Sequence, residues 1–201
     1  MKVKIYIEGG GDSREQDDLF RAAWRAFFEK AGLKRMPATF RGSGRDQAFK
    51  AYCNAVANPK PGELPLLLVD SEDLVTKGSN AWAHLKARDK WNKPAKGGAT
   101  DAFLMICCME TWFVADRATL KEYYPKLIEK HLKAWPDLEK VPKNTIMQAL
   151  EQATAKHEKP YTEKAKGDAG FKLLAKIRPD AVAKHCASAA LLLERLRKLL
   201  K

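Results

Sequence analysis

Cysteine is scarce. The 201 residues hold four, Cys53, Cys107, Cys108 and Cys186, with no CxxC spacing and with the adjacent pair inside an apolar run. That pattern excludes a zinc ribbon or a disulfide framework. No apolar stretch approaches the roughly 18 residues that span a bilayer, so no membrane association is expected. The opening MKVKIYIEGGGD has too short an apolar run for a signal peptide and enters a strand at once, which predicts a cytoplasmic chain. Its glycines are not followed by GK[ST], so they do not form a Walker loop. RNP, zinc-finger and basic-zipper patterns are missing, and with them any support for sequence-specific base reading. Internal repeats and low-complexity linkers are missing as well.

Acid is also in deficit. The chain carries 37 Lys and Arg against 25 Asp and Glu, a net charge of +12. The imbalance is local: residues 1–73 hold 12 basic against 11 acidic groups, and the remainder hold 25 against 14. A polyanionic partner fits this asymmetry, with nucleic acid first and an acidic protein or membrane surface behind it. The plainer alternative is a lysine-rich solvated surface.

What is present reads as an α/β protein. Val3–Glu8 alternates and is β-branched, which predicts a strand. A helix follows from an N-cap at Ser13 to Ala31, with Leu19, Ala23 and Phe27, and Ala22 and Ala26, as its apolar stripe and Gly32 closing it. Residues 35–42 give a weaker strand. A helix over 45–57 presents Phe49, Tyr52, Cys53 and Val56 on one face. The uninterrupted runs LLLVD (66–70) and AFLMICCM (102–109) have the character of central parallel strands covered on both faces. A mainly parallel sheet of about four strands flanked by helices is therefore expected over residues 1–116. Residues 117–201 read as a helical C-terminal extension packed on that core, ending in one amphipathic helix over 180–201.

The chemistry-bearing pattern lies at the strand ends. IYIE ends on Glu8, LLLVDSED delivers Asp70, Glu72 and Asp73, and LMICCME delivers Glu110. Open parallel sheets bind ligands beyond the carboxyl ends of their strands, where the strand order reverses. If the first and third strands are neighbours, Glu8 and Asp70 emerge about 5 Å apart, and Glu72 shares the side of Asp70 in an extended chain. Carboxylates this close repel one another unless a cation sits between them, and magnesium or manganese suits an all-oxygen set. Gly9, Gly10 and Gly11 would then leave room beside the cation, with Asp12 an outer ligand or a helix-start residue. Each acid taken singly is more simply read as a solvated or capping group.

The motifs EGGGDS, LLLVDSE, W.HLK.RD.W.KP..GGA, CMETWF.AD and LLAKI.P resemble the bacterial domain-of-unknown-function 4276 family over most of the chain. The pairing of IYIEGGGD with LLLVDSED also resembles the TOPRIM pattern of a strand-terminal glutamate followed by a DxD-like motif, as in overcoming-lysogenization-defect nucleases. The resemblance implies a TOPRIM-like, Rossmann-like core. It implies Glu8 as the motif glutamate, Asp70 and Glu72 as the DxD pair, with Glu72 standing where that pattern has aspartate, and Glu110 in a later motif. It further implies a magnesium- or manganese-dependent nuclease acting in anti-phage defence, with an ABC- or AAA-type ATPase encoded nearby. On this reading Glu8, Asp70, Glu72 and Asp73 hold metal, Glu110 assists catalysis, and a water activated by the cation cleaves a phosphodiester. The rival reading is a non-catalytic subunit that binds nucleic acid or an ATPase through the same fold.

A nucleic acid has two candidate docking stretches. Residues 77–98 mix Lys77, Lys86, Arg88, Lys90, Lys93 and Lys96 with Trp82, Trp91 and His84, and leave directly from the Asp70–Asp73 cluster. Cations there would hold a phosphate backbone while the tryptophans stack on bases or, alternatively, anchor the stretch to the core. Residues 159–172 offer Lys164 and Lys166.

Overall fold

The computed structural model describes residues 1–9, 13–163 and 166–201. Within them, four strands form one all-parallel sheet in the order β2-β1-β3-β4: β1 (Lys2–Glu8), β2 (Ala38–Gly42), β3 (Glu63–Asp70) and β4 (Ala102–Met105). The sheet is therefore an α/β sheet of the expected size, and β1 and β3 are indeed neighbours. The order reverses between them, because β1 leads to β2 on one side while β3 and β4 extend the other.

Alternation along each strand sends side chains into two cores. Val3, Ile5 and Ile7 of β1 and Leu66 and Leu68 of β3 face one side, while Tyr6, Leu67 and Val69 face the other. Leu66 to Val69 are all fully buried, which is why the third strand reads as an unbroken apolar run rather than an alternating one. The second face is covered by α2 (Arg45–Ala57), through Ala48, Tyr52 and Val56, and by α3 (Ala81–Asp89), through Trp82 and Leu85. Gly42 ends β2 where a Cβ would stand 2.5 Å from the Ala48 backbone nitrogen, so α2 can lie this close only over glycine.

The first face is covered by α1 (Arg14–Lys30) together with α4 (Glu110–Ala115) and the later helices. The Ser13 hydroxyl caps α1 by accepting from the Gln16 N–H at 3.2 Å, and Gly32, at φ +72°, ends the turn beyond it. The buried stripe of α1 differs from the expected one: Ala22 is exposed and Ala26 is only half-buried, while Phe20, Ala23, Trp24, Phe27 and Phe28 are buried. The aromatic side chains remove far more apolar area from water than alanines do, roughly 25 cal/mol for each Å², and so decide the rotation of the helix. Phe27 stacks on Trp112 of α4 at 5.4 Å, and Phe20 meets Phe171 edge-on at 5.5 Å.

Phe171 belongs to the C-terminal helices, which are α5 (Arg117–Tyr123), α6 (Lys143–Thr154), α7 (Lys166–Leu174), α8 (Pro179–His185) and α9 (Ala187–Leu199). Their apolar faces fall in one cluster with the strands of the first face, so these helices form the outer layer of that core. The single terminal helix expected over 180–201 is broken at Cys186, whose backbone is extended. The break turns the Ser188 N–H and hydroxyl onto the Glu139 carboxylate, at 2.9 and 2.5 Å, which a continuous helix would have sequestered. The fourth strand is likewise shorter than its apolar run. Beyond Met105 the chain wraps the end of β3, and its backbone groups bond the 70–72 segment instead of extending the ladder. Among the described residues no helix is long and apolar enough to cross a membrane.

An ion pair between a buried carboxylate and an exposed guanidinium fastens the outer layer. Asp116, between α4 and α5, is 1% exposed and accepts from the Arg178 guanidinium, the Arg178 backbone N–H and the Thr119 hydroxyl. Burial alone would raise its pKa, but these donors outweigh burial and hold it at about 2. Because the folded value lies below the usual 3.8, the stabilisation is present above about pH 4 and is lost as pH falls through about 2. Asp116→Asn should cost about 2 kcal/mol in urea unfolding at pH 7. The difference from the parent chain should close as the pH is lowered through that window.

Candidate metal centre

Glu8 ends β1 and Asp70 ends β3, so two adjacent parallel strands deliver carboxylates to the same edge at the point where strand order reverses. Glu72 joins them from the turn that follows. One carboxylate oxygen from each of the three lies within 4.8 Å of those of the other two. The acids expected to converge on the sequence pattern of β1 and β3 do converge.

Each is held differently. The Glu8 carboxylate accepts from the Asp70 backbone N–H at 3.3 Å and from Arg45 Nη1 at 3.2 Å. Asp70 is buried, and its Oδ1 accepts from the Met109 N–H at 3.0 Å, a bond supplied by the turn after β4. Glu72 has φ +66°, a left-handed backbone that costs a non-glycine residue on the order of 1 kcal/mol. Its N–H donates to the Cys107 carbonyl at 2.8 Å, and both its carboxylate oxygens accept from Lys143 Nζ, at 2.7 and 2.8 Å. The preceding Ser71 is buried, bonds the Met105 carbonyl through its N–H, and accepts from His84 Nε2 at 2.9 Å through its own carbonyl. That turn is thus clamped by β4 on one side and α3 on the other.

Arg45 is the hub of the site. Its guanidinium forks onto Asp89 at 2.7 and 2.9 Å, reaches Glu8, donates to the Asp70 carbonyl, and lies 4.9 Å over the Trp91 ring. Trp91 is itself stacked on Phe49 at 4.2 Å. Burial of Asp89 would raise its pKa, but Arg45 and then Arg88 lower it overall. Glu8 goes the other way. Burial raises it and the neighbouring Glu72 adds to that, while Arg45, the Asp70 N–H and Lys143 only partly oppose them.

Sequence reasoning missed Arg45, Asp89 and Lys143. Arg45 carried a faint signal, since it opens the helix directly after β2 at the same sheet edge. Lys143 carried none: it lies 71 residues beyond Glu72 in the chain, and only the folding of α6 brings it here.

The other expected residues lie elsewhere. Asp73 projects to solvent, pairs with Arg88 at 3.0 Å and is outside the cluster. Glu110 is fully buried at the start of α4, accepts from the Tyr161 hydroxyl at 2.7 Å, and is also outside the cluster. Gly9 makes room for Arg41 rather than for an ion, since a Cβ there would stand 2.8 Å from the Arg41 side chain. Gly10, Gly11, Asp12 and Lys164 lie outside the described residues, as does the Lys166 side chain.

In the 77–98 stretch the tryptophans anchor rather than present stacking faces. Trp82 is buried and donates to the Gly98 carbonyl, and Trp91 is buried under Arg45. His84 is likewise buried and structural. Lys90 and Lys93 bond backbone carbonyls of their own segment, and Arg88 pairs with Asp73 and Asp89. Lys77, Lys86 and Lys96 are exposed.

The profile of the family described as "Domain of unknown function (DUF4276)" matches residues 7–197. The chain belongs to this family. No curated protein and no solved structure matches it. Glu8, Arg45, Asp70, Glu72 and Lys143 of this DUF4276 chain all lie between residues 7 and 197, so the three carboxylates and both basic partners fall inside the family's span.

A donor set of three carboxylates, with two cationic side chains already drawn to it, fits a divalent cation. The raised pKa of Glu8 also sets a pH dependence. A carboxyl that keeps its proton to higher pH when folded contributes stability below about 4.5, the unfolded value, and loses it as pH rises through the folded value. In chelator, the stability of the DUF4276 domain should decline on raising the pH above about 4.5, and Glu8→Gln should flatten that slope, as read by urea unfolding across pH 4–8.

Proposed function

We propose that this chain is a divalent-cation-dependent phosphodiesterase of nucleic acid, a nuclease of the TOPRIM kind. The observation that carries the reading is the convergence of Glu8, Asp70 and Glu72 at the carboxyl edge, across the switch in strand order. Those three residues would hold the cation, magnesium or manganese. Bound there, it would supply Lewis-acid polarisation of a phosphoryl oxygen and an acidified water. The protein's own part is positioning: the Met109 N–H fixes Asp70, Arg45 fixes Glu8, and the clamped turn holds Glu72 in its left-handed conformation. Lys77 and Lys86, with the basic excess beyond residue 73, would draw the polyanion toward this edge in a salt-dependent way. Buried Glu110 takes no chemical role in this proposal. The setting we infer, an effector of anti-phage defence beside an ABC- or AAA-type ATPase, rests on family resemblance alone.

One observation favours a second reading. Arg45 and Lys143 already neutralise Glu8 and Glu72, as they would in a site kept for binding rather than turnover. Labelled single- and double-stranded DNA and RNA, incubated with magnesium or manganese, separate the two. The nuclease reading expects cleavage that chelator stops. Glu8→Gln and Asp70→Asn should each reduce it by more than the roughly 10–100-fold that loss of an outer partner costs a metal site. Undiminished cleavage in both variants would defeat this proposal, and retention of nucleic acid in chelator without turnover would favour the binding module.

A further inference from the structure

Two charges beside the site stand at the wrong ends of their helices. Arg45 is the first residue of α2, where the helix dipole disfavours a cation, and Asp89 is the last residue of α3, where it disfavours an anion. Lys90, which follows, has φ +61°, a left-handed backbone that is costly for any residue but glycine. That turn brings Trp91 back, its N–H on the Leu85 carbonyl at 3.3 Å, to lie beneath the Arg45 guanidinium. One unfavourable helix end thus supplies both the acid and the ring that hold Arg45.

Arg45 divides its bonds unequally. Nε and Nη2 fork onto Asp89 at 2.9 and 2.7 Å, and the Asp89 side chain is only 8% exposed. Nη1 reaches Glu8 Oε2 at a longer 3.2 Å while also serving the Asp70 carbonyl. Among the described residues, Glu8 and Asp89 are the carboxylates that pair with Arg45. A guanidinium forks onto one carboxylate with its best geometry, and Asp89 holds that fork. Without Asp89, the half-buried charge over Trp91 would be left with Glu8 as its carboxylate, and a desolvated charge closes on the partner it has. Glu8 is also the group a cation would need. Arg88 pairs with Asp89 from the other side and with Asp73, so the Asp89 charge is answered even where Arg45 is absent.

We propose that Asp89 is a positioning residue for the cation site: by holding the Arg45 fork, it keeps Arg45 from forking onto Glu8 and leaves Glu8 available to a divalent ion. This rests on the reading of the three carboxylates as a cation site, and adds a residue outside them that sets its affinity. Arg45 then steadies Glu8 through one long bond and is prevented from capturing it through two short ones.

The test is equilibrium Mn2+ binding to the full chain, read from the electron paramagnetic resonance of free Mn2+. Parent, Asp89→Asn, Arg45→Gln, the double variant and Asp70→Asn are compared, each with its thermal unfolding as a check on folding. Asp89→Asn should weaken Mn2+ binding by the roughly 10–100-fold that loss of an outer partner costs a metal site. In the Arg45→Gln background the same substitution should change it by less than about twofold, the ordinary limit of additivity. The double variant should therefore bind Mn2+ more tightly than Asp89→Asn alone, a rescue that a merely structural ion pair would not give. If Asp89→Asn does not fold, Asp89→Glu, which keeps the charge and displaces the fork, takes its place in the same comparison. Unchanged Mn2+ binding by the folded Asp89 variant, or an equal loss in both backgrounds, overturns the proposal while leaving the cation site standing. If the parent binds no more Mn2+ than Asp70→Asn does, the cation site falls and the proposal falls with it.

Discussion

Repulsion among Glu8, Asp70 and Glu72 is the constraint around which this end of the molecule is arranged. Three carboxylates whose oxygens approach within 4.8 Å cannot remain ionised together without compensation. The structure compensates from three directions. Backbone N–H groups of Asp70 and Met109 face Glu8 and Asp70, Arg45 reaches Glu8, and Lys143 holds Glu72. Even so, Glu8 retains a raised pKa, because burial and Glu72 together exceed what the opposing groups supply. The edge is therefore set to receive further positive charge.

The two compensating cations differ in how they are held. Arg45 is locked by the fork onto Asp89 and by the Trp91–Phe49 stack beneath it, so its place is set by α2, α3 and the segment after α3. A planar guanidinium with five donors suits such a fixed post. Lys143 grips both oxygens of Glu72 from the end of a flexible four-carbon stem. The two cations thus reach the carboxylates from opposite parts of the chain, Arg45 from α2 and Lys143 from α6.

Much of this was legible in the sequence, for reasons that differ by element. The strands β1 and β3 and the convergence of Glu8 with Asp70 could be read because an unbroken apolar run implies coverage on both faces, and a parallel sheet fixes where its strand ends meet. The overrun of β4 arose because hydrophobicity does not distinguish a strand from a buried turn: Cys107 and Cys108 are fully buried, yet residues 106–109 wrap the end of β3. The break at Cys186 was invisible because Glu139, whose carboxylate draws the Ser188 N–H, is distant in sequence. The tryptophans of 77–98 looked available for stacking, but composition cannot say which face of a short helix is buried. Lys143 illustrates the hardest case, a site residue defined wholly by tertiary packing.

The central claim is that the three acids share one divalent ion. Crystals soaked in Mn2+ and measured at a wavelength where manganese scatters anomalously test it most directly. The account predicts one anomalous peak with oxygens of Glu8, Asp70 and Glu72 at about 2.1 Å. A saturating soak that shows no peak among those three carboxylates would contradict it.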